Sequence, residues 1–217
     1  MPLLEPRTIP NVLTVGRIIV APAVFLLVIV PSFWPRMIAF LLFLLAAISD
    51  LWDGHLARKY GWISDFGKLM DPLADKLLLV STFVPFYIIS HRPGTANDLP
   101  YWGELSIWVL VVIFGRELLV TVVRQVEARR GRVIPAGQAG KYKAVVQNVF
   151  AGSAILWYAL QAAAAEHGWT GTVWELWQAV VHGPVLGLSL LIAIILTVYS
   201  MIVYFRTWRH PDPATRP

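Results

Sequence analysis

The run Asp50-Leu51-Trp52-Asp53-Gly54-His55-Leu56-Ala57-Arg58, followed by Gly67 and by Asp71-Pro72-Leu73-Ala74-Asp75, places four carboxylates in an otherwise apolar stretch of chain. On a helix Asp50 and Asp53 stand three residues apart and Asp71 and Asp75 four apart, so each pair shares one helical face. The runs on either side, 37–48 and 77–89, are apolar enough to lie in lipid. There an unpaired carboxylate costs about 2.5–3.5 kcal/mol. Carboxylates gathered near one membrane face therefore need a purpose, and two helix ends that carry such pairs and face each other make a metal site.

Composition agrees with a membrane setting. The chain has 217 residues, 57% of them hydrophobic and 14% charged, and its mean hydropathy of +0.63 lies outside the usual range of a soluble domain. Spans of about 20 residues are expected at 13–30, 36–57, 71–89, 105–126, 143–164 and 185–204. The fold class is thus an all-α integral membrane protein with six transmembrane helices. The expected organisation is an interfacial N-terminal segment over 1–10, a six-helix transmembrane domain over 11–206 and a C-terminal tail over 207–217. The first apolar run is long and follows Glu5 and Arg7 rather than a basic stub, so it is expected to stay as an anchor. The chain has no cysteine, which excludes disulfides and thiolate metal sites.

The formal charge of +5 is distributed by topology, which points to a lipid bilayer as partner and away from nucleic acid. Arg58, Lys59 and Lys68 fall between spans two and three; Arg129, Arg130, Arg132, Lys141 and Lys143 between four and five; and Arg206, Arg209 and Arg216 after span six. The intervening loops hold Arg36 and Arg92. The positive-inside rule then puts both termini and the carboxylate cluster on the cytoplasmic side of the cell membrane. Trp34 at one outward turn, and Trp102, Trp108, Trp169, Trp174 and Trp177 at the other, read as an aromatic belt. Segments 91–100 and 129–140 read as loops, while 174–182 is either a short surface helix or an extension of span six.

Gly54, Ala57 and Arg58 follow Asp50 by about one and two turns, and Gly67 precedes Asp71 by four residues. Small residues leave a hollow beside the carboxylates and an Arg at its rim pairs with phosphate, a combination suited to a metal-chelated phosphate. Close helix packing is the other use of Gly54 and Ala57. His55, two residues after Asp53, points to another face and is not read as a ligand.

The spacing Asp50-x2-Asp53-Gly54-x2-Ala57-Arg58-x8-Gly67-x3-Asp71-x3-Asp75 resembles the signature of the CDP-alcohol phosphatidyltransferases at every specified position. That resemblance implies the six-helix CDP-alcohol phosphotransferase fold, usually a homodimer, which displaces CMP from a CDP-linked lipid or alcohol using an acceptor hydroxyl. It implies that Asp50, Asp53, Asp71 and Asp75 share two divalent cations and that Asp75 is also the general base. Hard oxygen ligands suit Mg2+ or Mn2+, and two such ions neutralise a pyrophosphate and align in-line attack. For the CDP-diacylglycerol donor it implies contacts from Gly54, Ala57, Arg58, Ser64 and Gly67. Asn11 and Thr14 join them at the start of span one, although both are also ordinary helix-start residues.

Ile9-Pro10-Asn11-x-Leu13-Thr14-x2-Arg17 resembles the N-terminal signature of the family's phosphatidylglycerophosphate-making and cardiolipin-making branch. Gly115-Arg116-Glu117 with Arg124, and Gly140-Lys141-Tyr142-Lys143 with Gln147, resemble two later motifs of the glycerophosphate-using members; Ala144 stands where those members usually have Thr. The implied acceptor is sn-glycerol 3-phosphate, with Arg116, Arg124, Lys141 and Lys143 on its phosphate. Arg116 lies midway along span four and so must face protein or a polar cavity. Glu117 points about 100° away on a helix and is expected to be a poor partner for it. An acceptor phosphate, backbone carbonyls or the Asp cluster remain as partners. For Lys141 and Lys143 positive-inside flanking is the other account. Rival readings are the same fold with a different acceptor, phosphatidylglycerol or inositol phosphate, and a cation transporter, which would spread its carboxylates through the membrane depth.

Overall fold

A computed structural model describes residues 9–60, 65–94, 97–130 and 138–209, with the side chains of 9, 10, 51, 53–59, 65, 68 and 69 outside that description. Long helices dominate: α1 (Ile9–Ile29), α2 (Phe33–Tyr60), α3 (Asp65–Ser90), α4 (Ile107–Arg129) and α5 (Gln138–His167), then α6 (Thr172–Leu176), a π-helical turn (Trp177–His182) and α7 (Gly183–Arg209). The expected spans 36–57, 71–89, 143–164 and 185–204 fall inside helices; span 13–30 ends one residue beyond α1, and span 105–126 starts two residues before α4. Segment 174–182 is settled as an extension, since helix continues from Thr172 to Arg209.

Among the described residues, four helical stretches are long and apolar enough to cross a membrane: Asn11–Ile29, Phe33–Asp50, Met70–Ser90 and Thr172–Arg209. Helices α4 and α5 are as long, but α4 carries Arg116, Glu117, Arg124 and Glu127, and α5 dilutes its apolar residues with Gln, Asn and Lys. Arg116, Lys143 and Gln147 among these polar groups reach side chains of other helices. Pro184, in the first turn of α7, has no N–H for the carbonyl four residues earlier, and the wider π turn before it accommodates that loss.

Helix α1 packs against α2 and α3, α2 against α5, and α7 against both α5 and α4. Where they meet, Phe83, Phe86, Phe150 and Tyr158 are fully buried, with the Phe83 and Phe150 rings 5.3 Å apart and Phe86 edge-on to Phe150 at 5.8 Å. Away from the carboxylate cluster, helix ends are closed by charge. Arg36 donates to the carbonyls of Val28 at 3.2 Å and Tyr158 at 2.8 Å, and Arg92 donates to that of Ile29 at 2.9 Å, so two cations cap the C-terminus of α1. The Phe33 N–H at the start of α2 donates to Glu166 at 3.2 Å. Nearby, the loop after α3 clamps α7: Trp102 Nε1 donates to the Gly187 carbonyl at 3.1 Å, and a Cβ on Gly187 would lie 2.7 Å from the Tyr101 ring.

A carboxylate and cation cavity between the helices

Asp50 sits on α2 and Asp71 and Asp75 on the early turns of α3, and the fold brings the three together around one cation from α1. The Arg17 guanidinium pairs with Asp50, lies 2.9 Å from Asp75 Oδ1 and reaches Asp71 Oδ1 at 3.5 Å. Thr14, one turn earlier on α1, donates its hydroxyl to the same Asp71 oxygen at 2.7 Å. Arg17 is 2% exposed and the three carboxylates are roughly half exposed, so the cation is the buried member and the acids face open space. Arg17 belongs to the N-terminal motif but is not among the residues expected at the site. The signal was present: Arg17 is the one charged residue in the apolar stretch of α1, and such a residue demands an anionic partner.

A cavity of about 290 Å³ opens beside this cluster, lined by Arg17, Asp50, Asp71 and Asp75 on one side and by Glu117, Arg124 and Lys143 on the other. Among the residues expected at the site, Arg124 and Lys143 therefore reach the space that the carboxylates face. Arg124 also lays its guanidinium over the Tyr204 ring, 5.6 Å from the centroid. Arg116 stands behind the wall, donating to Ser200 Oγ on α7 at 3.2 Å and to Glu117 Oε1 at 3.1 Å. Lys141 is exposed and does not line the cavity.

The expectation that Glu117 is a poor partner for Arg116 is overturned, because Glu117 Oε1 accepts from both Arg116 and Lys143. An angle of 100° between neighbouring Cβ vectors does not separate side chains this long, and Lys143 arrives from α5 to draw the carboxylate inward. Gln147, also buried, donates to Thr197 Oγ1 of α7 at 3.2 Å, which ties the same stretch of α5 to α7.

Asn11 lies one turn before Thr14 on α1, and Gly67 one turn before Asp71 on α3. Asp53, Gly54, Ala57 and Arg58 lie on α2 beyond Asp50, with side chains outside the described residues; Ser64 also falls outside them. Among the described residues no group of three or more acids or histidines is placed to hold a metal ion. Asp50, Asp71 and Asp75 are hard oxygen donors of the kind a divalent cation takes, but here they share the guanidinium of Arg17, and the side chain of Asp53 lies outside the described residues.

A second, apolar groove of about 470 Å³ runs between α2, α5 and the start of α7, walled by Phe40, Leu44, Val149, Gly152, Leu156 and Val185. It shares Phe43, Ala47 and Asn148 with the polar cavity, so the two lie side by side. The arrangement suits a molecule with a charged head and an apolar tail.

Residues 7–208 match the family model described as CDP-alcohol phosphatidyltransferase. The chain is 40% identical over 150 residues to a probable phosphatidylglycerophosphate synthase of Mycobacterium tuberculosis, a match covering 67% of this chain and 65% of that protein. It is 32% identical over 213 residues to the CDP-diacylglycerol–glycerol-3-phosphate 3-phosphatidyltransferase of Bacillus subtilis, covering 92% of this chain and 95% of the relative. A protein of the same name from Rickettsia typhi is 33% identical over 141 residues, covering 65% of this chain and 72% of that one. The chain thus spans just under two thirds of the mycobacterial relative and nearly all of the Bacillus one.

Proposed function

This chain belongs to the CDP-alcohol phosphatidyltransferase family, and from that premise we propose that it transfers the phosphatidyl group of CDP-diacylglycerol to the sn-1 hydroxyl of sn-glycerol 3-phosphate, giving phosphatidylglycerophosphate and CMP. The observation that carries the reading is the single cavity where Asp50, Asp71 and Asp75 face Arg124 and Lys143, with an apolar groove beside it. A pyrophosphate-linked lipid needs the first and last of these features, and a small anionic acceptor needs the second.

In this reading Asp50, Asp53, Asp71 and Asp75 hold two divalent cations, Mg2+ or Mn2+, which supply charge neutralisation at the pyrophosphate. Asp75 accepts the proton of the attacking hydroxyl; at 58% side-chain exposure it is the most open of the three described acids. Thr14 and Arg17 orient the carboxylates from α1. Asn11, Thr14, Gly54, Ala57, Arg58, Ser64 and Gly67 contact the CDP moiety, and one acyl chain lies along the groove between α2 and α5. Arg124 and Lys143 take the acceptor phosphate, Arg116 acts through Glu117, and Lys141 adds charge at the entrance. All six long helices cross the cytoplasmic membrane, with the cavity and both termini on the cytosolic side, and the protein works as a homodimer. Helices α4 and α5 cross despite their charge because their polar groups are paired against neighbouring helices.

The test is direct. Purified protein is incubated with Mg2+, labelled CDP-diacylglycerol and, in separate reactions, glycerol 3-phosphate, phosphatidylglycerol or inositol phosphate, and the lipid product is identified. Phosphatidylglycerophosphate is expected as the main product. Preference for phosphatidylglycerol or inositol phosphate would assign a different acceptor, and no CMP release with any of the three would remove the transferase reading.

A further inference from the structure

Glu117 sets a negative charge where an anionic acceptor is to bind, so its presence in the cavity wall needs a reason. Its Oε1 is anchored by two cations, Lys143 and Arg116, whose side chains are 6% and 10% exposed. Its Oε2 has no hydrogen-bond or ion-pair partner among the described residues, and at 21% exposure Glu117 borders the same cavity as Asp75, Arg124 and Lys143. A carboxylate held by one oxygen presents the other in a fixed direction. An ionised carboxylate is an acceptor only, so the group it complements is a donor. On a phosphorylated polyol the donor that neither reacts nor carries phosphate is a further hydroxyl.

We propose that Glu117 determines acceptor specificity, its Oε2 accepting a hydrogen bond from the secondary hydroxyl of the acceptor while Lys143 and Arg124 hold the phosphate. The proposal rests on the glycerol 3-phosphate reading above. It explains the acid: a site built around a carboxylate acceptor rejects an analogue lacking the hydroxyl, because the carboxylate is then desolvated without a partner. The pairing with Lys143 and Arg116 also stops Glu117 from repelling the phosphate as a free charge would.

The experiment compares sn-glycerol 3-phosphate with propane-1,3-diol monophosphate, which keeps the primary hydroxyl and the phosphate and lacks the secondary hydroxyl. The readout is kcat/KM for CMP release in the unaltered protein, Glu117→Ala and Glu117→Gln. The unaltered protein is expected to favour glycerol 3-phosphate by about 10-fold to 150-fold, the range of a charge-assisted hydrogen bond. That preference falls toward unity in Glu117→Ala and to an intermediate value in Glu117→Gln, whose amide oxygen is a weaker acceptor. Equal use of both acceptors by the unaltered protein overturns the proposal whatever the variants do. So does a proportional loss with both acceptors in either variant, which would make Glu117 a support for Lys143 alone; Glu117→Gln, close in shape, decides if Glu117→Ala fails to fold. Failure of the unaltered protein to use glycerol 3-phosphate at all is a separate result that removes the acceptor reading itself.

Discussion

Arg17 Nη1 lies 2.9 Å from Asp75 Oδ1, across 58 residues of sequence, and the same guanidinium reaches Asp50 and Asp71. One buried cation on α1 thus holds the acids of α2 and α3 in a common cluster. If the proposed divalent ions take these acids as ligands, they must compete with the guanidinium for the same oxygens.

Arg17→Ala tests that competition through stability. Removing the cation leaves three carboxylates to repel one another, and the melting midpoint in EDTA is expected to fall by a few degrees, equivalent to about 1–3 kcal/mol once the exposure of the acids is allowed for. Addition of Mg2+ should then raise the midpoint more than it does in the unaltered protein, since no resident charge opposes binding. An equal rise in both would show that Arg17 and the metal use different oxygens.

Chelation is expected to abolish CMP release, and Asp50→Asn and Asp71→Asn each to do the same while the protein still enters the membrane. Asn keeps the volume and loses the charge that a hard cation requires. Turnover that survives thorough chelation would sink the metal assignment.

For Asp75 the prediction separates two duties. If it takes the acceptor proton, Asp75→Asn should slow turnover by about 100-fold to 10,000-fold while CDP-diacylglycerol still binds in the presence of Mg2+. A loss of donor binding as large as that of Asp50→Asn would identify Asp75 as chiefly a ligand.

Lys143→Ala should raise the acceptor KM by about 10-fold to 150-fold and leave donor binding nearly unchanged, as expected for a lost charge-assisted contact. Lys141→Ala, at an exposed position outside the cavity wall, should have the smaller effect. Arg116→Lys should recover part of the activity lost in Arg116→Ala, because an ammonium keeps the charge but cannot span Ser200 and Glu117 as the guanidinium does. Saturation curves for glycerol 3-phosphate at fixed donor concentration read all four variants.

Val149→Trp narrows the apolar groove at a residue that is half exposed along its wall. The donor KM is expected to rise for long-chain CDP-diacylglycerol and to change little for the dioctanoyl form. Equal effects on both would place the acyl chain elsewhere.

The helices were legible because their apolar runs are long and their punctuation is strong: Pro31 and Pro35 at one turn, Arg129 to Gly140 at another. That Asp50, Asp71 and Asp75 would gather was legible from helical spacing and the expense of acids in lipid, although the cation they share among the described residues is Arg17. What could not be read was which side chain met which across helices. Lys143 and Glu117 are 26 residues apart on different helices, and no local periodicity relates them. Arg17 was readable in principle, from its isolation in an apolar helix, but only tertiary packing selects its acids over a lipid phosphate. The π turn was hidden because Gly183-Pro184 is equally compatible with a break between two helices.

That turn bears on which changes in chain length the protein tolerates. A π-helical turn spends more residues on a rotation than an α-helix does, so the segment over 177–182 holds slack that the rest of the long final helix lacks. Thr197 and Ser200 keep their facing toward Gln147 and Arg116 through contacts made downstream of it. Loss of one residue within 177–182 is therefore absorbed by rewinding to an ordinary α-helix and rotating only the outer end that carries Trp174. The same loss between Gly187 and Thr197 would turn the hydroxyls away from their partners. Natural length variation among homologues of this chain should accordingly gather at the turn and be absent from the ten residues after Gly187.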